Sequence, residues 1–548
     1  MLIDTRQIPD LSIIDTDLCV IGAGAAGVTI AREMEKHGIA TVLLESGGTK
    51  PDRATGDLYR GENVGIQYEF AGGHRSRYLG GSSNCWGGWC RPWDEWDFRQ
   101  RDWVPDSGWP FGGAELASYY DRAHTVLQLG PNRYDPDYWV QTDGTRNLKR
   151  ITLDPARIVD QISQFSPPLR FGVDYRHELA AARHVRVYLY ANVVDIQTDN
   201  PAANVRQVEV RTLTGLRMTV RARRFVLATG GIENARILLA ANSVQPAGLG
   251  NGHDLVGRYF MDHPRLNFGS IRFSDAYRQN MLYDIKFHYQ NDAVSAHGKR
   301  ISAQFGLSEK VQREEGLLNA RAWFRSIFPG ETTEAVNALF RMKRRVSRMD
   351  VSSHTFGGDL LEMLKHPWNT TLFAAARVMH LTSLIRDVRF EVIVEPQPNR
   401  DSRVMLSDQR DALGMQRVRI DWRLGPLVRR TFDRTVQILA DELVRKGVAH
   451  VELHDLLGDR PWPETLEGTW HHMGTTRMHD SPRHGVVDRH CKVHEINNLW
   501  VAGSSVFPTC GANYPTITLV ALALRLSDRL AAEAGRPDAM APIEAATA

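Results

Sequence analysis

Gly22, Gly24 and Gly27 stand in the run IGAGAAG, between a short apolar stretch, Asp17–Val20, and a helix-like stretch ending near Gly38. A second apolar run, Ile39–Leu44, closes on Glu45. Strand, glycine-rich turn, helix and second strand within about 30 residues make a βαβ unit. This spacing narrows the fold more than any other feature, because each glycine has its own physical task. Gly22 permits the tight turn, Gly24 lets a pyrophosphate approach the backbone, and Gly27 lets helix pack on strand. The free N–H groups of the helix N-terminus then face the phosphates. Glu45, at the end of the second strand, is placed to accept hydrogen bonds from ribose hydroxyls. NAD and FAD both use this fingerprint, so the rest of the chain must decide between them.

With 548 residues the chain exceeds one ordinary core and suits two interwoven domains. Net charge is +3, and the one basic cluster, Arg341 to Arg348, is short. That argues against nucleic-acid or membrane partners, and the cluster reads as a solvated helix face. The five cysteines, Cys19, Cys85, Cys90, Cys491 and Cys510, are odd in number and form no CxxC pair. A disulfide framework, a zinc site and an iron–sulfur cluster are therefore not expected, and no metal is assigned. The start, MLIDTRQIPDLSIID, lacks a basic region followed by an apolar core, so no signal peptide is expected. No apolar run approaches the roughly 20 residues that span a bilayer. A reducing, cytoplasmic setting is the expectation.

Further along, alternating patterns at Val185–Ile196, Val205–Thr212 and Arg217–Val220 predict a β-meander, with Thr214-Gly215 as a turn. A buried strand, Arg224–Ala228, follows, then TGG and the helical ENARILLAA. The middle of the chain, Arg265 to Val451, has no glycine-rich signature. It mixes strand-like alternation (Phe390–Val394, Gln416–Trp422) with an amphipathic helix, Val428–Lys446. Asn498–Ala502 reads as one more buried strand, Thr516–Ala532 as an apolar helix, and the segment after Gly535 as a frayed tail.

Four stretches together resemble the glucose–methanol–choline (GMC) oxidoreductases. They are RRFVLATGGIENARILL after the meander, RYLGGSSNCWGGWC, TWHHMGTTRM and the C-terminal NLWVAGSSVFPTCGANYPTITLVALALRLSD. VGRYFMDHP (Val256–Pro264) and PNRDSRV (Pro398–Val404) add smaller matches. The resemblance is to the bacterial branch near pyranose-oxidising and sugar-dehydrogenating members, and it implies FAD. It implies that Val193 touches the adenine through its backbone and that Thr229 and Gly230 lie against the nucleotide. Gly80 and Gly81 would allow close approach, Ser82 and Ser83 would offer donors to phosphate or ribityl oxygens, and Asn84, Cys85 and Trp86 complete that cofactor segment. Covalently flavinylated members carry a histidine where this chain has Cys85, so the FAD is expected to be non-covalent, beside an unreactive thiol. Gly503, Ser504 and Thr516 approach the cofactor from the last block. There a helix opening near Pro515 would set its positive end against the flavin pyrimidine.

The same resemblance aligns His471 with the family's active-site histidine. Oxidising an alcohol removes the hydroxyl proton while hydride leaves the carbon, and a histidine suits that base role. His472 is the adjacent alternative. Neighbours on an extended segment point oppositely, so only one should face the flavin. The family's second catalytic group, an asparagine or histidine, falls on Asn513, with Tyr514 the alternative because this chain reads NYPT where common versions read NPT. Six tryptophans between Trp86 and Trp109 suit a sugar's C–H surfaces, and packing of a long loop accounts for them equally.

The expectation is an α/β chain. A doubly wound, Rossmann-like FAD-binding domain with a β-meander would cover residues 12–112, 184–264 and 456–535. A sheet-plus-helix substrate domain would cover 113–183 and 265–455, interwoven with the first, and 536–548 would be a flexible tail. The expected reaction is FAD-dependent oxidation of an alcohol, on a sugar or glycoside, by hydride transfer to flavin N5. An electron acceptor (oxygen, a quinone or a redox protein) would then re-oxidise the flavin. The alternatives are a non-redox lyase on the same fold, a dehydrogenase of a non-sugar alcohol, a pyridine-nucleotide enzyme sharing only the first fingerprint, and a catalytically silent flavoprotein subunit.

Overall fold

The computed structural model describes residues 1–534 apart from 71–73, 141–149, 168, 276–281, 286–296, 329, 332, 349–355, 379–384 and 386. The expected tail, 536–548, lies outside the described residues. The strand Ser12–Ile21 shows why the first unit folds as it does. Its early residues alternate between wetter and drier sides, whereas Leu18 to Ile21 are buried throughout, as in a strand covered on both faces. It pairs in parallel with Thr41–Leu44 on one side and with Arg217–Leu227 on the other. The sheet runs Leu2–Asp4, Val185–Leu189, Thr41–Leu44, Ser12–Ile21, Arg217–Leu227, Val205–Arg211, Asn192–Thr198, and Leu499–Val501 pairs with the end of Arg217–Leu227. The helices Ala25–Lys36 and Pro515–Ala534 pack together beside it.

Two sequence readings are corrected here. Arg217–Val220 and Arg224–Ala228 are one strand, Arg217–Leu227, whose first half pairs with the meander and whose last residues pair with Leu499–Val501. Val185–Ile196 is two strands, because Tyr190 takes φ 59° and turns the chain. Val185–Leu189 joins the parallel core and Asn192–Thr198 joins the meander.

The second sheet is antiparallel: Glu467–Gly468, Pro264–Phe268, Asp387–Val394, Ala320–Ile327, Ile301–Leu307, Ile158–Phe165, Trp89–Cys90. The helix Pro426–Arg445, opened by a proline in its first turn, lays Phe432 against Phe268 with ring centroids 5.7 Å apart. Each sheet has its own large apolar cluster. Among the described residues no helix is long and apolar enough to cross a membrane.

The chain crosses repeatedly between these two sheets. Leu2–Asp4 belongs to the first sheet although it precedes residue 12. Trp89–Cys90 and Glu467–Gly468 pair into the second sheet. Ala117–Val126 packs on Pro515–Ala534, where Tyr120 and Thr518 share a hydrogen bond of 3.1 Å. The hairpin Arg403–Arg410 with Gln416–Asp421 packs on Gly231–Ala240 through Arg236, which donates to the Gln416 carbonyl (2.8 Å) and to Asp411 (2.6 Å). Sheet edges and buried ion pairs decide these placements, and both are set by partners far away in sequence.

Candidate active site

A cavity of about 450 Å³ runs along the carboxyl ends of the parallel strands, reached by Ile21, Leu44, Ala228 and Ala502. That is where open α/β sheets bind ligands. Three helices open on its wall: Ala25–Lys36, Gly231–Ala240 and Pro515–Ala534. Gly24 and Gly230 cap the first two without any side-chain hydrogen bond, so their first N–H groups are left for an anionic ligand.

The glycines explain how a cofactor can lie so close. Gly22 has φ 102°, and a methyl there would sit 2.6 Å from the Ala228 carbonyl oxygen. A methyl on Gly27 would sit 1.9 Å from the Gly22 oxygen, so Gly27 serves helix–strand packing and does not line the cavity. A methyl on Gly81 would approach Gly24 Cα to 2.9 Å, so the two glycine turns touch. At Gly230 and Gly503, with φ 88° and 112°, a methyl would meet no protein atom within 4 Å. These bare walls, together with the uncapped helix ends, fit the phosphates and ring system of FAD.

Glu45 lines the cavity and is buried. Its carboxylate accepts the N–H of Ala23 (3.1 Å) and of Gly47 (2.9 Å). Burial raises its pKa, and these two N–H groups oppose that rise. Val193, Thr229, Gly230, Ser82, Ser83, Cys85, Trp86, Gly503, Ser504 and Thr516 all border the same space. The Ser83 hydroxyl is already engaged, donating to the Gly80 carbonyl (2.6 Å) and accepting from Phe171 (3.1 Å). Asn84 departs from expectation. Its amide donates to the carbonyls of Leu79 and Gly81 at 3.0 and 2.9 Å, so it holds the turn instead of lining the cavity.

The two adjacent histidines, His471 and His472, line the same cavity. His471 Nδ1 lies 3.0 Å from His263 Nδ1, and His263 Nε2 lies 2.8 Å from the Gly511 carbonyl. A carbonyl only accepts, so His263 carries its proton on Nε2 and offers a lone pair at Nδ1. His471 must then donate from Nδ1, with the Thr469 hydroxyl 2.9 Å away sharing that donor. The lone pair of His471 is therefore on Nε2. His472 also borders the cavity, but its ring packs near Tyr68 and Phe260, with centroids 6.0 and 6.1 Å apart.

The structure sets the two candidates for the second catalytic position, Asn513 and Tyr514, in different surroundings. Asn513 is buried off the cavity; its oxygen accepts from Arg321 (3.1 Å) and its nitrogen donates to the Pro92 carbonyl (3.1 Å). Tyr514 borders the cavity, its ring 5.9 Å from that of His471 and 5.0 Å from that of Trp89. Of the six tryptophans, Trp86 and Trp89 reach the cavity, while Trp93 and Trp109 pack with Phe507.

Sequence reading missed several groups. Glu233 accepts from Arg75 (2.8 Å), Arg77 (3.2 Å) and Arg236 (3.3 Å) beside the cavity. Burial alone would raise its carboxyl, but the guanidinium groups of Arg236, Arg77 and Arg75 hold it at about 2. A glutamate and an arginine three apart in an otherwise apolar helix were its only signal. Asp262, His263, Arg265, Trp323 and Trp470 went unassigned because their partners are remote.

Burial lowers the pKa of His471 to about 3, with the charge of Arg265 adding, and that of His263 to about 4, with His471 adding. Burial likewise carries His472 well below its ordinary value. The unfolded chain takes these protons near 6.5, whereas the folded chain refuses them until far lower pH. Stability is therefore lost as pH falls below 6.5, by up to about 1.4 kcal/mol per pH unit for each histidine. Asp97, raised to about 6 by burial and by the charge of Asp94, works the other way, as does Glu45, raised by burial. The urea midpoint should fall between pH 7 and pH 5; a midpoint that stays level or rises would contradict the neutral histidine cluster.

Comparison with known proteins bears on the family and the fold. Residues 17–247 match the family model described as FAD dependent oxidoreductase, and residues 398–523 match the one described as GMC oxidoreductase. Paromamine 6'-oxidase of Streptomyces fradiae is 23% identical over 94% of this chain and 91% of its own length. C-glycoside 3-oxidase of Microbacterium trichothecenolyticum is 35% identical over 61% of this chain and 51% of its own. The solved formate oxidase of Aspergillus oryzae shares the fold, with a TM-score of 0.54 and 16% identity, covering 96% of this chain and 99% of that one.

Proposed function

Because the chain belongs to the GMC oxidoreductases, FAD-dependent enzymes acting on CH–OH groups, we propose that it oxidises a hydroxyl-bearing carbon of a sugar or glycoside with His471 as the base. The observation that carries this reading is the contact of His263 with His471, which leaves a lone pair on His471 Nε2 beside the cavity. FAD, when bound, supplies the two-electron acceptor for the hydride that leaves the substrate carbon. His471 takes the hydroxyl proton, so that C–H and O–H bonds break as the carbonyl forms. Neutral at physiological pH, His471 needs no prior deprotonation. Tyr514, whose hydroxyl oxygen accepts from Gln304 at 3.1 Å, holds the substrate oxygen. Trp89, Trp323 and Trp470 on the wall supply aromatic faces for a sugar ring, and relatives named for paromamine and C-glycosides support that substrate class. A panel of sugars, glycosides and simple alcohols, assayed with oxygen and with a quinone dye, tests it. Turnover confined to simple alcohols would remove the sugar.

The FAD is held without a covalent link. Cys85 stands where attachment would occur, and its thiol contacts the carbonyls of Ser82 (3.3 Å) and His74 (3.4 Å). Acid precipitation should release all the flavin to the supernatant; colour left in the pellet would point to cysteinyl attachment.

Tyr514→Phe should slow flavin reduction about 10-fold, the worth of one hydrogen bond, beyond any stability lost by taking an acceptor from Gln304. Asn513→Ala should instead lower the unfolding free energy by about 1–3 kcal/mol, because it strips Arg321 of a buried acceptor. The opposite pattern in stopped-flow and denaturation data would return the catalytic position to Asn513.

A further inference from the structure

Two adjacent histidines stand at one cavity, and something must decide which of them meets substrate. Asp262, fully buried, receives four hydrogen bonds: from the Tyr68 hydroxyl (2.6 Å), the Thr469 hydroxyl (3.0 Å), and the backbone N–H groups of Trp470 (2.8 Å) and His471 (2.8 Å). Between the last two donors the chain is left-handed, with Trp470 at φ 62°. A bulky aromatic residue rarely adopts that conformation, and it persists only where surroundings over-determine it. Here a single carboxylate gathers both N–H groups onto one side, which that turn makes possible. Further along, the His472 carbonyl accepts the Ser504 hydroxyl at 2.7 Å. The result sends the His471 ring to His263 and the His472 ring to Tyr68 and Phe260.

We propose that Asp262 is a positioning residue which, by holding the left-handed turn at Trp470, selects His471 over His472 as the base. The proposal rests on His471 being that base, and it extends the sequence match VGRYFMDHP to a physical task. Asp262 places the His471 backbone, and the residue after it, His263, sets where the His471 proton lies. Asp262 touches neither substrate nor cofactor in this scheme. Its space is closed on the far side too, since a methyl on Gly468 would lie 2.3 Å from its carboxylate.

The test uses FAD-loaded protein labelled with ¹⁵N-histidine, with His471→Gln to assign the His471 signals. Wild type should show His471 protonated on Nδ1 only. Asp262→Asn, which presents N–H groups to N–H groups, should lose that signature and give mixed tautomers at His471. With D-glucose or methyl β-D-glucopyranoside as probe, its flavin reduction should fall at least 100-fold while KM moves little. An Asp262→Asn holoenzyme with the wild-type His471 signature overturns the proposal. Should Asp262→Asn fail to fold, Trp470→Gly and Trp470→Val decide: glycine takes φ 62° freely and should keep the signature, whereas β-branched valine should lose it. Equal signatures in both overturn the proposal. If neither probe reduces the wild-type flavin, the sugar-oxidising reading fails, while the spectra still judge Asp262.

Discussion

His471→Ala is expected to slow flavin reduction by substrate roughly 10²–10⁴-fold, the usual cost of losing a positioned base. Re-oxidation by the acceptor should be unchanged, because no proton leaves the substrate in that half-reaction. The variant should still fold and carry FAD, because the turn at Gly22 and Gly24 is held by Glu45, Ala228 and Gly81 and not by His471. His472→Ala should be milder in reduction and costlier in stability, as its ring packs against Tyr68 and Phe260. Stopped-flow reduction of both variants separates the roles. A crippled His472→Ala beside a nearly normal His471→Ala would shift the base by one residue.

Gly27→Ala should abolish FAD binding and most soluble protein, although the residue never touches the cofactor. Its methyl would need to occupy space 1.9 Å from the Gly22 oxygen and 3.4 Å from Val20. The nearest atom is backbone in the turn itself and cannot step aside, whereas the Val20 side chain at 3.4 Å makes only an ordinary contact. Relief requires lifting the helix Ala25–Lys36 from the strand, which moves the uncapped N–H groups and opens the core around Val28 and Ile30. Overpacking of this kind typically costs 1–3 kcal/mol and more where the backbone must move. Flavin content of the purified variant checks it; a yellow Gly27→Ala protein with wild-type stability would refute the close helix–strand contact.

What the sequence disclosed follows a physical divide. Gly22, Gly24, Gly27 and Glu45 were legible because a tight turn, a close approach and a strand-end acid each demand one residue type at one local spacing. The strand and helix of the C-terminal block were legible for the same reason. The surroundings of Asn513 were not legible because they are set by Arg321, 192 residues away, and by the Pro92 carbonyl, 421 residues away. Asp262 was invisible because the donors that reveal its task come from Tyr68, 194 residues earlier, and from a turn about 200 residues later. Short strands such as Trp89–Cys90, which pairs with Ile158–Phe165, were not legible, since two residues carry no periodicity from which an edge could be inferred.

On this reading the cavity holds FAD and lets an alcohol reduce it, with a neutral histidine taking the proton. Anaerobic addition of a sugar or glycoside to the purified yellow protein tests it most directly. The flavin band should bleach in wild type at a rate level from pH 8 down to about pH 5, because His471 stays unprotonated across that range. A protein that binds no flavin, or a flavin that no alcohol bleaches, would contradict the account.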